Sequence, residues 1–230
     1  MELLTGRFAA RTRRRRGLGS EGREAYGRMA VVFLFLVASV LQPQAAPLFN
    51  VPSTSMMPTL GQGDVILALP PTGALRRGDL VVYFADGSAQ LSRVVALGKE
   101  TVQVRSGQVF IDNVPMDLTP LATPIAEGCP PLVTEGKECR FLRETTPEGT
   151  SYVVIDSLPD GFFDDTPLVT VPKGHILVIS DNRDNSVDSR YSERGAIAAS
   201  SVIGLVYGIV TTPRLTPDRA ERLAGFPKAQ

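Results

Sequence analysis

The 230-residue chain lacks tryptophan, has two cysteines and one histidine, His175, and carries no formal net charge. No histidine lies near the cysteines to complete a metal site, so we expect neither a metal nor another cofactor. Zero net charge argues against a general nucleic-acid binder. The hydrophobic content of 43% excludes intrinsic disorder, and the length allows one large or two small domains.

Long hydrophobic runs are also lacking, since the longest extends over thirteen residues, from Met29 to Leu41. As a helix it would span about 20 Å, against about 30 Å for a hydrocarbon core. Extension to Phe49 reaches a spanning length, although Gln42–Gln44 weaken that end. The preceding residues 1–28 hold eight arginines and a charge of +5, which leaves −5 for the rest.

An arginine cluster beside an apolar segment is typical of a cytoplasmic flank. We interpret residues 29–49 as an uncleaved signal anchor in the plasma membrane, in contact with lipid, with the bulk of the chain outside. A cleaved secretory signal would place the bulk on the same side, whereas a buried core helix would not. The arginine run could also be a solvated tail.

The two cysteines fit export. Cys129 and Cys139 are separated by nine residues that include two prolines and a glycine, a loop that could close into a disulfide in an oxidising compartment. A pair of unrelated buried thiols is the alternative.

Short apolar runs bounded by Gly, Pro, Asp and Asn predict a mostly antiparallel β fold for the remainder. The predicted strands are 64–69, 79–84, 91–97, 102–104, 109–111, 151–155, 168–171, 175–179 and 202–210. The predicted organisation is a basic arm (1–28), a membrane anchor (29–49), a β core (50–111 and 166–211), an inserted subdomain (112–165) and a polar tail (212–230).

Three blocks concentrate residues suited to chemistry. The first block, Val51–Asp64, reads VPSTSMMPTLGQGD, and a serine at such a proline-containing turn can present its hydroxyl beside backbone N–H groups. The second, 76–98, contains RRGDLVVYF and LSRVVALG and predicts two strands joined by a turn at Asp86 and Gly87. The third block, Ser180–Arg190, reads SDNRDNSVDSR and predicts a structured turn. Taken singly, the first could be a linker and the third a hydrophilic loop.

In this order the blocks resemble bacterial signal peptidase I, the membrane-anchored serine endopeptidase that removes signal peptides from exported preproteins. The resemblance covers the chain from the apolar run to about Val210. It implies an antiparallel β catalytic fold on the extracytoplasmic side, with signal peptides as partners. It further implies a nucleophile at Ser55 and an oxyanion donor at Ser53. Supporting roles fall on Ser186, Asp188 and Arg190.

One position departs from the family pattern, because Ser92 stands where the catalytic lysine is expected. That family relies on a desolvated lysine to take the proton of the serine. The only lysines are Lys99, Lys137, Lys173 and Lys228. Lys99 lies on the opposite strand face by parity, and His175 is expected to be structural. The third block also begins with Ser180 where the family usually has glycine.

The absent lysine leaves two hypotheses of different classes. The chain is a signal peptidase I-type endopeptidase whose activity is impaired, or an inactive homologue that binds signal peptides or assists assembly at the membrane. A self-cleaving Ser/Lys repressor protease would require a preceding DNA-binding domain, which the arginine run and apolar segment fit poorly.

Overall fold

The computed structural model describes residues 47–121, 139–158 and 160–213, all within one compact unit. The predicted basic arm, most of the predicted anchor, Cys129 and nearly all of the predicted tail lie outside these residues. Cys139 is a disulfide-bonded cysteine, but its pairing with Cys129 stays a prediction. Within the described ranges, the structure contains no helix of the length and apolar character needed to cross a membrane.

The described chain is mostly antiparallel β, which confirms the predicted fold class. The strands are β1 Leu48–Asn50, β2 Val65–Leu69, β3 Leu80–Ala85, β4 Ser88–Leu97, β5 Thr101–Arg105, β6 Gln108–Ile111, β7 Val114–Pro115, β8 Asp117–Pro120, β9 Arg140–Thr145, β10 Ser151–Asp156, β11 Val169–Thr170, β12 His175–Ile179, β13 Ile197–Ala198 and β14 Val202–Thr211, with a 3₁₀ turn at Ala199–Ser201.

The largest sheet has seven strands in the order β1-β2-β14-β3-β4-β12-β13, paired antiparallel throughout. Its central hairpin, β3–β4, turns at Asp86 and Gly87 as predicted, and both residues have positive φ, 51° and 76°. Two left-handed residues give the type of turn whose twist matches paired strands, and Asp-Gly favours it. Ser92 lies on β4, so the register of this hairpin fixes the position of Ser92 in the sheet, opposite Val81 of β3.

Two smaller sheets complete the fold, with orders β11-β5-β6-β7 and β10-β9-β8. All three strands of the second lie within the predicted subdomain. Its Leu142, Tyr152 and Val154 pack in one hydrophobic cluster with Val95 and Leu177 of the largest sheet. The inserted segment therefore shares a core with the rest of the described chain.

The structure corrects the predicted end of the membrane segment. Leu48 and Phe49 belong to β1, where they pair with Leu67 and Ile66 of β2. The β core therefore begins at Leu48 in the structure, two residues before the predicted boundary at residue 50.

A second hydrophobic cluster holds the first block against the largest sheet. Val51, Met56 and Leu60 are buried there with Leu80 and Val206. Full burial of a side chain of this size contributes roughly 1.5–3 kcal/mol, so the block is fixed by its apolar residues while its serines stay accessible.

Candidate functional site

Ser53 lies in a bend of the first block and Ser55 begins the turn that follows, in which Met56 is completely buried. The Oγ atoms of the two serines are 3.0 Å apart. The backbone N–H of Ser55 donates to Ser53 Oγ at 3.4 Å. The Ser53 hydroxyl and the Ser55 N–H thus lie together beside the Ser55 hydroxyl, and the N–H would have to turn from Ser53 Oγ to an oxyanion bound there.

The third block fastens this turn from the other side through two asparagines. The backbone N–H of Asn182 donates to the carbonyl of Ser55 at 2.9 Å, and its side-chain amide donates to the carbonyl of Thr54 at 3.1 Å. Asn185 Nδ2 donates to Thr54 Oγ1 at 2.7 Å. The backbone around Ser55 is thus positioned by residues about 130 positions further along the chain.

A buried ion pair connects all three blocks. Arg93 of β4 donates to both carboxylate oxygens of Asp181, at 2.7 and 2.6 Å, and both side chains are almost completely buried. Thr59 of the first block donates to Asp181 Oδ2 at 2.5 Å. Burial would by itself lower the pKa of Arg93, but Asp181 more than offsets it, so the pKa is raised and the guanidinium stays charged.

Ser186, Asp188 and Arg190 form a second buried network. Ser186 Oγ donates to Asp188 Oδ2 at 3.0 Å, and Arg190 donates through Nε and Nη2 to the two oxygens of Asp188, at 3.0 and 2.9 Å. The backbone N–H of Ser180 also donates to Asp188. Burial would raise the pKa of Asp188, but Arg190 and these N–H groups outweigh it and lower the pKa.

The candidate serines line a single cleft. Ser53, Ser55, Ser92 and Ser186 all line it, together with Ser180. Asp188 and Arg190 lie behind the wall, where they hold Ser186 in place. The residues that the three blocks predicted therefore meet at one place, although they come from distant parts of the sequence.

Ser92 is buried among other hydroxyl groups. Its Oγ lies 3.3 Å from Ser180 Oγ and 3.5 Å from the hydroxyl of Tyr83. The two positions that are expected to depart from the family pattern are thus direct neighbours. The Ser180 side chain occupies space beside Ser92 that a glycine would leave open.

Within the described ranges, no lysine or histidine lines the cleft. Lys99 and Lys173 are exposed, in agreement with the expectation for Lys99. His175 begins β12, five residues before Ser180, and its Nδ1 lies 3.2 Å from the carbonyl oxygen of Lys173. Lys137 and Lys228 are outside the described residues.

An apolar pocket adjoins the serines. Ser53 and Ser55 form part of its wall, and the remainder includes Ile66 of β2, Val82 of β3 and Leu91 of β4. Because the pocket lies directly beside the Ser55 hydroxyl, an apolar side chain seated in it would place its own backbone at that hydroxyl.

Sequence reasoning missed the residues that organise the site without facing the cleft. The quoted blocks contain five such residues, to which the sequence alone gives no role: Thr59, Arg93, Asp181, Asn182 and Asn185. A signal was present for Arg93, since an arginine in the middle of an otherwise apolar strand must find a buried partner or remain exposed.

These features define a class of protein. It is an antiparallel β protein in which a turn carries two neighbouring serines, buried ion pairs hold that turn in place, and an apolar pocket adjoins the serines. Comparison with known proteins makes the class specific. Residues 24–211 match the family model described as signal peptidase, peptidase S26. The chain belongs to this family, as its sequence blocks predicted.

The similar proteins agree with this assignment. Signal peptidase I of Pseudomonas fluorescens is 34% identical over 186 residues, and that of Pseudomonas aeruginosa 31% over 188; each alignment covers 72% of this chain and 62% of the relative. Signal peptidase I T of Bacillus subtilis is 29% identical, with 76% and 79% covered. The chain thus spans less than two thirds of the length of the Pseudomonas relatives.

A crystal structure of an Enterococcus faecalis signal peptidase I also matches. Its sequence identity is 23% and the TM-score is 0.35, with 59% of this chain and 98% of the other covered.

Proposed function

We propose that this chain is a signal peptidase I-type serine endopeptidase that removes signal peptides from preproteins, with activity impaired by the absence of the general-base lysine. One observation carries the proposal: the cleft that brings Ser53 and Ser55 together with Ser92 and Ser186. Family membership and the names of the relatives support the reaction class.

In this proposal Ser55 Oγ attacks the carbonyl carbon of the scissile peptide bond. The developing oxyanion accepts hydrogen bonds from the Ser55 N–H and the Ser53 hydroxyl, which are already neighbours. The C–N bond then breaks, the new amine departs with a proton, and water hydrolyses the acyl-enzyme. The apolar pocket receives a small apolar side chain of the substrate next to the cleaved bond.

The weak step is removal of the proton from Ser55. General-base catalysis contributes about 10² to 10⁴ in rate, and Ser92 has no basic group to supply it. Ser186 is no substitute, because its hydroxyl donates to Asp188. Slow cleavage is therefore expected, sustained by the oxyanion donors and by binding.

A second function is favoured by the contact between Ser92 and Ser180. A hydroxyl beside the lysine position fits a chain that has stopped using a lysine and has filled the space. Such a chain would hold a signal peptide in the cleft without cutting it, as a membrane-bound binding or assembly factor.

We further propose that the protein is a single-pass plasma-membrane protein in contact with lipid, with residues 1–28 in the cytoplasm and the β fold outside. The arginine asymmetry across the apolar run supports this orientation. Signal peptides would then reach the cleft from the membrane surface.

The test is cleavage of a preprotein with small residues at positions −3 and −1 by the full chain in detergent. We expect a slow, measurable rate that Ser55→Ala abolishes, because that variant removes the nucleophile. Ser88→Ala is the matched control, since Ser88 lies outside the residues that line the cleft. Binding of the preprotein with no cleavage would favour the second function, and absence of both would contradict the two.

A further inference from the structure

Three aspartates converge at the edge of the fold, and one of them, Asp184, also lines the serine cleft. Asp156 ends β10, Asp164 follows in the next loop, and Asp184 belongs to the third block. Each offers a carboxylate oxygen, and these oxygens lie within 4.8 Å of one another. The group therefore joins the small sheet, its loop and the block that positions Ser55.

Each carboxylate is held by its Oδ2 atom. Asp164 Oδ2 accepts from the backbone N–H of Gly161 at 2.7 Å, and Asp184 Oδ2 accepts from the N–H of Ser157 at 2.6 Å. Asp156 Oδ2 accepts from Arg140 at 2.6 Å. The side chains are therefore fixed in position before any ligand arrives.

The Oδ1 atom of Asp156 has no hydrogen-bond partner among the described residues, although it is buried. The Asp156 side chain is only 8% exposed, and one of its carboxylate oxygens lies within 4.8 Å of a carboxylate oxygen of each of the other two aspartates. A buried oxygen without a donor costs roughly 1–3 kcal/mol, and more when it is charged. A positively charged or donating ligand at the cluster would satisfy this atom.

The local charge points the same way. Arg140 forms the one ion pair recorded with these carboxylates in the described chain, and its side chain is 51% exposed. Arg183 and Arg190 also act on the cluster, but they are paired with Glu144 and Asp188. The three carboxylates therefore keep negative charge that a divalent cation would neutralise.

Two glycines keep the surroundings open. A Cβ at Gly161 would lie 2.4 Å from Asp184 Oδ1, and a Cβ at Gly107 would lie 3.4 Å from Asp156 Oδ2. At Gly161 the backbone can approach Asp184 this closely only because a side chain is absent, whereas the distance at Gly107 is an ordinary van der Waals contact.

We propose that Asp156, Asp164 and Asp184 bind a Ca²⁺ ion. Carboxylate oxygens are hard ligands that Ca²⁺ holds at 2.3–2.6 Å, so oxygens sharing one ion can be up to about 5 Å apart, in agreement with the spacing here. Water and backbone carbonyls would complete the shell. The ion would tie Asp156 and Asp164 to the third block. Although Asp184 also lines the serine cleft, binding of the ion does not depend on the proposed function.

Calcium titration of the full chain in detergent, stripped with EDTA and desalted, tests the site. Isothermal calorimetry should show one saturable site with a Kd of about 10⁻⁴–10⁻³ M and weaker binding of Mg²⁺. The thermal unfolding midpoint should rise with Ca²⁺. Asp164→Asn and Asp184→Asn should each weaken binding at least about tenfold.

Two further variants separate binding from folding. Gly161→Ala leaves the charge unchanged but places a methyl group against Asp184, and it should also weaken binding. Asp160→Asn is the matched control, because Asp160 is exposed, lies outside the cluster and has a φ of 62°, which asparagine tolerates. No saturable Ca²⁺ binding to the unmodified chain, or equal binding by it and all three site variants, would overturn the proposal.

Discussion

Ser92 and Ser180 are the residues on which the chemistry of this site depends. A lysine at position 92 would extend through a buried region, where desolvation depresses an amine pKa and makes it a base. Here Ser180 Oγ is 3.3 Å from Ser92 Oγ, so its side chain stands beside the path of a lysine stem. We therefore propose that the two expected departures from the family pattern are coupled.

We expect Ser92→Lys together with Ser180→Gly to raise the rate of preprotein cleavage at least about tenfold over the unmodified chain. Ser92→Lys alone should gain less, because the lysine must compete with Ser180 for space. Initial rates against the same preprotein measure both variants, and the double variant should show a rate that rises with pH as the lysine loses its proton. Ser180→Gly alone is the control and should gain nothing. A double variant no faster than the unmodified chain would show that the lack of a lysine is not what limits cleavage.

The contribution of Asp188 to the free energy of unfolding is expected to depend on pH. Asp188→Asn leaves the buried Arg190 guanidinium without its charge partner, and breaking such a pair costs about 3–5 kcal/mol at neutral pH. Because the native pKa of Asp188 is lowered, its contribution is complete above the pKa of the unfolded chain, about 4. The contribution disappears as pH falls through the lowered native pKa.

Urea unfolding at pH 7 and at pH 3 measures the difference between the unmodified and variant chains. The loss of unfolding free energy in Asp188→Asn, relative to the unmodified chain, should be smaller at pH 3 than at pH 7. Asp117→Asn is the control: because Asp117 is exposed, this variant should lose little unfolding free energy at either pH. A deficit that stays constant between the two pH values would mean that Asp188 contributes by shape and not by charge.

At the scale of elements, the Arg93–Asp181 pair links β4 to the third block and, through Thr59, to the first. We expect Asp181→Asn to destabilise the protein by about 3–5 kcal/mol, since it leaves Arg93 buried without a counter-charge. Arg93→Met combined with Asp181→Leu should cost less than Asp181→Asn, because no charge is then left unpaired. Chemical denaturation of the variants measures this, and a double variant less stable than the single one would contradict the argument.

The sequence predicted elements well where one physical signal was strong. Short runs of β-branched residues between turn residues indicated β12 and β14 to within a residue or two. β9 was not predicted, because its sequence RFLRET alternates weakly and lies in a segment rich in proline and glycine. The serines of the site could be predicted from local blocks, whereas the contact between Ser92 and Ser180 depends on the pairing of β4 with β12.

At the scale of the whole molecule, charge is divided between the two ends of the apolar run. Residues 1–28 carry +5 and the remainder −5, although the total is zero. Arginine-rich flanks are retained in the cytoplasm during insertion, whereas acidic residues have little influence on orientation. The division therefore predicts the orientation of the chain without reference to its fold.

We expect protease added outside intact spheroplasts to remove an epitope tag placed after Gln230 and to spare one placed before Met1. The terminal tags avoid dependence on how well the β fold resists digestion. Permeabilised spheroplasts are the control, and both tags should disappear there. Immunoblots of the two tags give the result. Before digestion, a chain that carries both tags indicates an uncleaved anchor. A shortened product that carries only the C-terminal tag indicates a cleaved signal. Loss of the N-terminal tag from intact spheroplasts would contradict the proposed orientation, because it would place the arginine-rich arm outside.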